Sequence, residues 1–369
     1  MPSYQESQIL EVSRHFQIYG ELQHAEPCKI GHINETYIAT YDQGGVPVRY
    51  IHQKINTDVF KDPDGVMDNL MRVTTHQRNK VADSGVGEAG RRVLTVIPSK
   101  DGQSYYRADG GACWRTFVFI ERVRTFETVE SPTQAFEAGR AFGEFQSLLV
   151  DLPGDRLIET IPFFHHTRGR FATLERAIEA DRMNRSKEAA QEIELALRQE
   201  PIVDVIVKAM AKKKIPERIT HNDTKFNNVM LDLQSGKAMC VIDLDTVMPG
   251  CVLYDFGDMV RTTTSPTLED ELNLALIHMR MPIFKALVRG YIETAGQFLT
   301  KNERSLIAFA GKLITYTIGI RFLTDHLSGD TYFRVHRQNH NLHRARAQFK
   351  LMESIEHQEE AMQRFADSL

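Results

Sequence analysis

The sequence predicts an α+β protein of two lobes, a smaller β-rich N-terminal lobe and a mostly helical C-terminal lobe. Strand-like apolar runs and glycine-containing turns are concentrated in the first 121 residues, whereas apolar residues at helical spacing dominate the remainder. A chain of 369 residues is also long enough to bury two cores. We therefore predict a division into residues 1–121 and 122–369.

The N-terminal lobe is predicted to open with one helix and three consecutive strands. Apolar residues at mostly helical spacing indicate a helix within residues 3–20. Residues 27–30 and 36–41 have the composition of strands. The sequence Asp-Gln-Gly-Gly at residues 42–45 predicts a turn into a third strand at residues 48–55.

The rest of this lobe contains a glycine pattern that is misleading. Residues 85–90 match the spacing Gly-x-Gly-x-x-Gly of a dinucleotide fingerprint. The pattern follows a polar segment and precedes residues 93–97, which predict a strand rather than the required helix, so we interpret it as a connection. A Gly-x-x-x-x-Gly-Lys-Ser/Thr loop is absent from the sequence, which excludes a P-loop protein. Residues 114–121 predict the last strand before the hinge.

The C-terminal lobe is predicted to be built from helices. Residues 135–149 form an amphipathic face typical of a core helix, and residues 172–214 are charge-rich with apolar residues at helical spacing. Residues 306–327 predict a strongly apolar helix that carries Arg321. The basic run at residues 334–346 indicates a helix beside a functional site or a plain surface.

Composition favours a cytoplasmic protein without nucleic-acid or membrane partners. The formal net charge is −4, which gives no general attraction to nucleic acid or anionic lipid. The first residues lack the basic start and apolar core of a signal peptide, and we expect no apolar run of membrane-spanning length. The four cysteines lack C-x-x-C spacing, so we expect reduced thiols rather than disulfides or a zinc site.

Residues 221–228 contain the pattern His-x-Asp-x-Lys-x-x-Asn, which predicts a catalytic segment. In phosphoryl transfer from ATP, an aspartate takes the proton of the acceptor hydroxyl and an asparagine holds Mg²⁺. Asp223, Lys225 and Asn228 occupy these positions. The structural alternative is that Asp223 caps a helix.

Residues 241–245, Val-Ile-Asp-Leu-Asp, predict an apolar strand that ends in two carboxylates. Asp243 and Asp245 would point to the same face because side chains of a strand alternate with period two. Carboxylate and amide oxygens are the ligands that Mg²⁺ prefers. We therefore predict Asn228, Asp243 and Asp245 as metal ligands, the alternative being solvated residues at the end of a strand.

Asp255 is predicted to support the segment at residues 221–228. It lies in the sequence Tyr-Asp-Phe-Gly-Asp at residues 254–258 and would open the next helix. From there its carboxylate could accept backbone hydrogen bonds of that segment. The tripeptide Asp-Phe-Gly spells a kinase metal motif, but it follows no apolar strand directly, so we assign Asp255 a structural role.

Four residues of the N-terminal lobe are predicted to contact the nucleotide. Gly31 and Asn34 lie between the first two strands, where a short loop could bend over phosphates, although an ordinary hairpin connection explains them as well. Lys54 ends the third strand and could reach the phosphates, but the helix glutamate that usually pairs with such a lysine is missing from residues 60–80. Glu121 lies at the hinge, where backbone groups would meet adenine.

These motifs resemble the aminoglycoside phosphotransferase and choline kinase superfamily of small-molecule kinases. The resemblance implies a bilobal protein-kinase-like fold with ATP bound between the lobes. More narrowly, five segments are similar to those of the N-acetylhexosamine 1-kinase family: residues 31–37, 55–60, 221–228, 321–325 and 329–333.

The narrower resemblance implies the substrate and three residues that contact it. The acceptor would be the anomeric hydroxyl of N-acetylglucosamine or N-acetylgalactosamine, and His32, Arg321 and Tyr332 would line the sugar pocket. From the residues alone, Arg321 could equally form a structural ion pair with Asp325 on the next turn of its helix. Another small hydroxyl acceptor, such as an amino alcohol or aminoglycoside, and a nucleotide-binding pseudoenzyme remain as alternatives.

Overall fold

The computed structural model describes residues 4–28, 33–85 and 87–369. The chain forms two compact units. Unit 1 consists of Met1–Val123, Leu152–Ile161 and Cys240–Val247, and unit 2 of Arg124–Asp151, Pro162–Met239 and Met248–Leu369. Unit 1 contains an antiparallel sheet and unit 2 is largely helical, so the predicted α+β class is confirmed. The assignment of nucleotide binding to residues 1–121 and of catalysis to 122–369 stays a prediction.

Unit 1 is built on a six-stranded antiparallel sheet. Its strands are β1 (Glu21–Pro27), β2 (Glu35–Asp42), β3 (Pro47–Ile55), β4 (Val96–Ile97), β5 (Tyr106–Arg107) and β6 (Cys113–Val118). They lie in the order β1-β2-β3-β6-β4, and β5 also pairs with β6. The helices of this unit are α1 (Tyr4–Ser13), α2 (Pro63–Asp83) and α3 (Ala89–Arg92).

The predicted turn between β2 and β3 is confirmed. Gly44 and Gly45 both have positive φ angles, 65° and 88°, which glycine adopts without steric penalty. The turn is closed by the Gln43 N–H, which donates to the Val46 carbonyl at 2.9 Å. The core of the sheet contains Ile9, Phe16, Ala39, Tyr41 and Trp114, and α1 contributes the first of them.

Two predicted boundaries in unit 1 were wrong, and a third lies partly outside the described residues. Residues 29–30 of the strand expected at 27–30 are not among the described residues, and Pro27 is the last residue of β1, an edge strand whose residues are mostly exposed. The strand expected at residues 93–97 is reduced to Val96–Ile97, because the one-turn helix Ala89–Arg92 precedes it. The strand expected at residues 114–121 is Cys113–Val118.

Unit 2 contains most of the helices. They are α4 (Pro132–Leu149), α5 (Thr167–Ala180), α6 (Ala190–Arg198), α7 (Val205–Ala211), α8 (Val252–Thr264), α9 (Met281–Ala295), α10 (Lys301–Arg304), α11 (Ile307–Ser328) and α12 (His340–Asp367). Its strands are β7 (Val123–Arg124), β8 (Arg218–Thr220), β9 (Val229–Asp232), β10 (Ala238–Val241) and β11 (Met248–Gly250). They form a sheet in the order β10-β9-β7 and a pair of β8 with β11. The chain passes from one unit to the other within β7 and within β10.

Helices α4 and α9 approach each other closely because glycines lie at their contact. A Cβ atom on Gly139 would lie 2.1 Å from the carbonyl oxygen of Leu287, and one on Gly290 would lie 2.0 Å from that of Phe136. Real Cβ atoms do not approach backbone this closely, so any side chain at either position would force the helices apart. The contact explains why glycine, which weakens a helix locally, is needed at both positions.

Helix α11 corrects the expectation that no apolar run reaches membrane-spanning length. By length and composition alone, Ile307–Ser328 could cross a membrane, and it is the one such helix in the part of the chain that the structure describes. Most of its apolar stretch is buried inside the protein, among α5, α8 and α12. Burial of this kind is what a core helix shows, so α11 is weak evidence for a membrane span.

The basic run at residues 334–346 is partly used in ion pairs of unit 2. Arg337 and His340 both lie against Asp270, at 2.8 and 3.0 Å, and Arg346 pairs with Glu192 at 2.8 Å. These ion pairs give much of the positive charge of the run a structural role.

Candidate active site

The segment at residues 221–228 is a largely buried loop that follows β8 and ends in a 3₁₀ turn at Phe226–Asn228. His221 and Thr224 are completely buried, and Asn222 adopts a left-handed φ of 66°. A buried loop must find partners for its backbone polar groups outside regular secondary structure. Asp255 on α8 provides them.

The Asp255 carboxylate accepts the N–H groups of His221 at 2.9 Å and Asn222 at 2.7 Å. The Gln146 side chain donates a third bond to it at 2.7 Å, and the Thr224 hydroxyl donates to the Asp255 carbonyl at 2.6 Å. The predicted structural role of Asp255 is therefore confirmed. Burial outweighs these donors and raises the pKa of Asp255 to about 7.

Asp223, Lys225 and Asn228 are brought together as the spacing predicts. The Lys225 ammonium lies 3.0 Å from Oδ1 of Asp223. The Asn228 amide nitrogen donates to the Asp223 carbonyl at 2.8 Å and to Oδ2 at 3.2 Å. No helix begins at Asp223 in the described chain, so the alternative of a helix cap is wrong. The amide oxygen of Asn228 is left as the atom for a ligand.

The charges of this cluster keep Asp223 ionised. Burial by itself would raise the pKa of Asp223, but the adjacent Lys225, with smaller contributions from His221 and Arg261, brings that pKa below its ordinary value. Burial would likewise lower the pKa of Lys225, yet Asp223 and two further acids raise it above the usual range. At neutral pH the pair is a carboxylate and an ammonium, and the carboxylate can accept a proton.

Sequence reasoning missed a second group of charged side chains that acts on Lys225. Asp258 and Arg261 are nearly buried on α8, and their side chains meet at 2.8 Å. Arg261 also reaches Glu269 at 2.5 Å. Asp258, Glu269 and Arg261 all act electrostatically on Lys225. The available signal was the spacing of Asp258 and Arg261, three residues apart on one helix face.

In unit 1, the segment of Asp243 and Asp245 is not the strand that was predicted. Strand β10 ends at Val241, Asp243 has a left-handed φ of 61°, and a 3₁₀ turn covers Leu244–Thr246. The argument from period-two alternation was therefore wrong, because the chain leaves the extended conformation at Asp243. The roles of Asp243 and Asp245 as metal ligands stay predictions.

Asp245 is 2 % exposed and has two partners within unit 1. Its Oδ1 lies 2.5 Å from the Arg115 guanidinium, and its Oδ2 accepts the Asn34 amide at 2.7 Å. Arg115 is itself buried and also contacts Gln53 through Nε at 2.9 Å. Sequence reasoning missed Arg115, since a lone arginine in a strand gives no pattern. The solvated alternative is wrong for Asp245.

The predicted nucleotide residues have structural partners in unit 1. Asn34 accepts the Asn56 N–H at 2.9 Å while its amide nitrogen is bonded to Asp245. Lys54 pairs with Glu35 on the neighbouring strand at 2.8 Å, which supplies the acidic partner that the helix lacks. Glu121 pairs with Arg49. Their contacts with a nucleotide stay predictions. Gly31 and His32 lie outside the described residues.

In unit 2, Arg321 and Tyr332 are brought together. The guanidinium of Arg321 lies 4.9, 5.7 and 5.4 Å from the ring centroids of Phe164, Tyr332 and Phe333. Such distances are typical of cation–π contacts. Their predicted contact with a sugar is not tested by this arrangement and stays a prediction.

The predicted alternative, an ion pair between Arg321 and Asp325, is wrong. Asp325 instead accepts the backbone N–H groups of Thr331, Tyr332 and Phe333, each at 2.9 Å. One carboxylate therefore fixes the loop after α11. The loop in turn carries Tyr332 to the side of Arg321.

Comparison with known proteins decides the family. The sequence model described as the phosphotransferase enzyme family matches residues 24–281, well over half of the chain. The chain belongs to the phosphotransferase enzyme family. The predicted aminoglycoside phosphotransferase and choline kinase superfamily and the predicted enzyme class are thereby confirmed.

Solved structures share the fold of this phosphotransferase at low sequence identity. An aminoglycoside phosphotransferase from Alicyclobacillus acidocaldarius is 11% identical with a TM-score of 0.60, over 98% of this chain and 96% of that chain. A microcompartment-associated aminopropanol kinase is 14% identical with a TM-score of 0.59, over 96% and 98%. A spectinomycin phosphotransferase solved with ADP and spectinomycin is 12% identical with a TM-score of 0.56, over 98% and 99%. The predicted kinase-like fold is confirmed.

The residues of the phosphotransferase fit a magnesium ion only when nucleotide phosphates and water supply its other ligands. Among residues 4–28, 33–85 and 87–369, no group of three or more His, Cys, Asp or Glu could hold a metal ion. Magnesium in nucleotide sites needs fewer protein ligands, because phosphate oxygens and water complete its octahedron. The amide oxygen of Asn228, turned away from Asp223, suits such a role.

Proposed function

We propose that this phosphotransferase transfers the γ-phosphoryl group of ATP to the anomeric hydroxyl of an N-acetylhexosamine. The observation that carries the proposal is the cluster of Asp223, Lys225 and Asn228, held on a buried loop by Asp255. A carboxylate that is ionised, partly exposed and rigidly supported is suited to orient and deprotonate an acceptor hydroxyl.

Each side chain of the cluster has a distinct task in this mechanism. Asp223 accepts the proton of the acceptor hydroxyl at its carboxylate as the oxygen attacks. Lys225 keeps Asp223 ionised and offsets negative charge on the transferred group. Asn228 would hold Mg²⁺, with Asp243 and Asp245 as the other predicted ligands. Bound Mg²⁺ supplies neutralisation of charge on the phosphate oxygens.

The choice of donor and acceptor has separate support. The spectinomycin phosphotransferase of the same fold was solved with ADP, which supports an adenine nucleotide as donor. The five segments similar to N-acetylhexosamine 1-kinases support the sugar. An anomeric hydroxyl is also more acidic than an ordinary alcohol, so a carboxylate base is adequate for it.

Another hydroxyl acceptor is the second candidate. The solved structures of this fold include an aminopropanol kinase and a spectinomycin phosphotransferase, whose acceptors are chemically unlike a neutral amino sugar. A nucleotide-binding protein without turnover is a third. The three candidates give different products.

Phosphorus NMR tests the proposal directly. The purified protein is incubated with ATP, Mg²⁺ and either N-acetylhexosamines or a panel of amino alcohols and aminoglycosides. A new sugar 1-phosphate signal, lost in Asp223→Asn but retained in the exposed-turn control Asp109→Asn, supports the proposal. Phosphorylation of a different acceptor alone overturns the substrate. Nucleotide binding without any product overturns the activity.

A further inference from the structure

A row of polar side chains crosses the sheet of unit 1. Thr36 on β2, Gln53 on β3 and Arg115 on β6 are direct neighbours in the strand register. The Gln53 amide nitrogen donates to the Thr36 hydroxyl at 2.9 Å, and the Gln53 oxygen accepts the Nε–H of Arg115 at 2.9 Å. Arg115 is 2 % exposed, so its positive charge needs a buried acid. Asp245 supplies it, with Oδ1 2.5 Å from Nη1 of Arg115.

The second oxygen of Asp245 binds Asn34. Its Oδ2 accepts the Asn34 amide nitrogen at 2.7 Å, and the Asn34 oxygen accepts the backbone N–H of Asn56 at 2.9 Å. The Asn56 side chain in turn donates to the Ile33 carbonyl at 3.1 Å. Because a carboxylate only accepts and an N–H only donates, the two neighbours fix the orientation of the Asn34 amide. These contacts form a continuous chain of Arg115, Asp245, Asn34 and Asn56, which we call the Asp245 bridge.

The Asp245 bridge joins two segments that the sequence predicts to contact ATP and its metal ion. Asn34 is the last residue before β2, in the connection predicted to bend over phosphates. Asp245 lies in the 3₁₀ turn Leu244–Thr246, which begins directly after the predicted metal ligand Asp243. Asn34 and Asp245 are 211 residues apart in the chain. Their hydrogen bond therefore ties the position of one segment to that of the other.

The same contacts make Asp245 poorly suited to bind Mg²⁺. Both of its oxygens already face donors, and one of these donors, Arg115, carries a positive charge. A second cation on the same buried carboxylate would be repelled by this guanidinium at short range. Asp245 could bind the metal ion only after giving up partners that hold it within unit 1.

We propose that Asp245 is a positioning residue for nucleotide binding and not a ligand of the metal ion. Arg115 fixes the Asp245 carboxylate, and the carboxylate holds Asn34, so that the backbone at Ile33 and Asn34 keeps one position relative to Asp243. Backbone N–H groups that are already held in place bind phosphate oxygens at a smaller cost in ordering. Asp243 is then the predicted metal ligand of this segment. The inference rests on ATP as the proposed donor.

An exchange of the two side chains tests the Asp245 bridge. In Asp245→Asn the single amide oxygen is held by Arg115, which can only donate, so two amide nitrogens face each other between positions 34 and 245. In Asn34→Asp two carboxylates face each other. Each substitution should weaken the binding of a non-hydrolysable ATP analogue with Mg²⁺ about tenfold or more in calorimetry. The double variant Asn34→Asp/Asp245→Asn exchanges donor and acceptor, restores the bond and should bind within about threefold of the wild type.

The exchange separates a positioning residue from a metal ligand. Position 245 stays an amide in the double variant, so a lost metal carboxylate would not be recovered. Mn²⁺ binding, followed by electron paramagnetic resonance at saturating nucleotide, is a second readout, and Asp245→Asn should bind Mn²⁺ within about threefold of the wild type. A larger loss of Mn²⁺ affinity overturns the proposal. So do single variants that bind nucleotide like the wild type, or a double variant no better than the weaker single variant.

The control and the folded state complete the test. Asp109→Asn, at an exposed acid of unit 1, should change neither nucleotide nor Mn²⁺ binding. Circular dichroism establishes that each variant is folded. If a single variant does not fold, the double variant decides. Binding like the wild type then supports the Asp245 bridge, and weak binding or failure to fold overturns it.

Binding measurements also separate this inference from the proposed function. If the wild type binds nucleotide without phosphorylating N-acetylhexosamines, and the double variant recovers the binding that the single variants lose, the proposed acceptor is wrong and the Asp245 bridge stands. If N-acetylhexosamines are phosphorylated but the double variant recovers nothing, the proposed function stands and the role of Asp245 is wrong. A wild type that binds no nucleotide refutes the proposed donor and the role of the Asp245 bridge together.

Discussion

Asp255→Ala is the substitution that most directly tests how the catalytic loop is held. The Asp255 carboxylate is completely buried and accepts three donors, the N–H groups of His221 and Asn222 and the amide of Gln146. Removing it leaves these buried donors without their acceptor. Asp223 follows Asn222 directly, so its position depends on the same bonds.

The expected loss follows from these contacts. Each buried donor left unsatisfied costs about 1–3 kcal/mol, so the loss in unfolding free energy should be about 3–5 kcal/mol once partial relaxation is allowed. Asp255→Asn keeps one acceptor oxygen and should lose less. We also expect turnover to fall at least about a hundredfold in Asp255→Ala, because displacement of the base by about 1 Å has such an effect.

Urea denaturation followed by circular dichroism measures the loss, and ADP release under conditions where each variant is folded measures turnover. Asp109→Ala, in an exposed turn, serves as the control and should change neither quantity. If Asp255→Ala does not fold, the same two measurements on Asp255→Asn, which should lose less stability, decide the role of Asp255. A loss below about 1 kcal/mol together with wild-type turnover would refute the role of Asp255 as the support of the loop.

Three further substitutions test other parts of the structure. Gly290→Ala should lower the unfolding free energy by about 3 kcal/mol or more in urea denaturation, because its Cβ would lie 2.0 Å from the Phe136 carbonyl oxygen. Arg218→Met should lower it by about 3–5 kcal/mol by the same measurement, since it leaves the buried carboxylate of Glu303 without its cation. His165 has a folded pKa of about 4, below its ordinary 6.5, so its contribution to stability is present above about pH 6.5 and is lost as pH falls towards 4. His165→Gln should remove that part of the pH dependence in denaturation at a series of pH values.

Two of these substitutions have a control in the same chain. Gly110→Ala has no atom within 4 Å of the added Cβ and should be close to neutral. Arg364→Met breaks an exposed ion pair with Glu360 and should change stability by at most about 1 kcal/mol. Equal losses in a buried site and in its control would contradict the packing or charge argument concerned. An identical pH slope in His165→Gln would contradict the assignment of the slope to His165.

Local patterns in the sequence were sufficient for the fold class and for the central site. The turn at residues 42–45 and the amphipathic helix face at 135–149 depend on residues close together in the chain, and both were predicted. The same holds for Asp223, Lys225 and Asn228, which lie within six residues of one another on one loop. Even the support by Asp255 could be inferred, because it opens the helix after a predicted strand and turn.

Only the tertiary structure decided which charges are compensated. Asp245 is paired with Arg115, while Arg321 has aromatic neighbours instead of the expected Asp325. The end of β10 at Val241 could not be predicted from the sequence either, because the left-handed conformation of Asp243 is not specified by its neighbours alone. The physical reason is that hydrophobic periodicity is encoded by residues near in sequence, whereas the energy of a buried charge depends on groups brought together from distant parts of the chain.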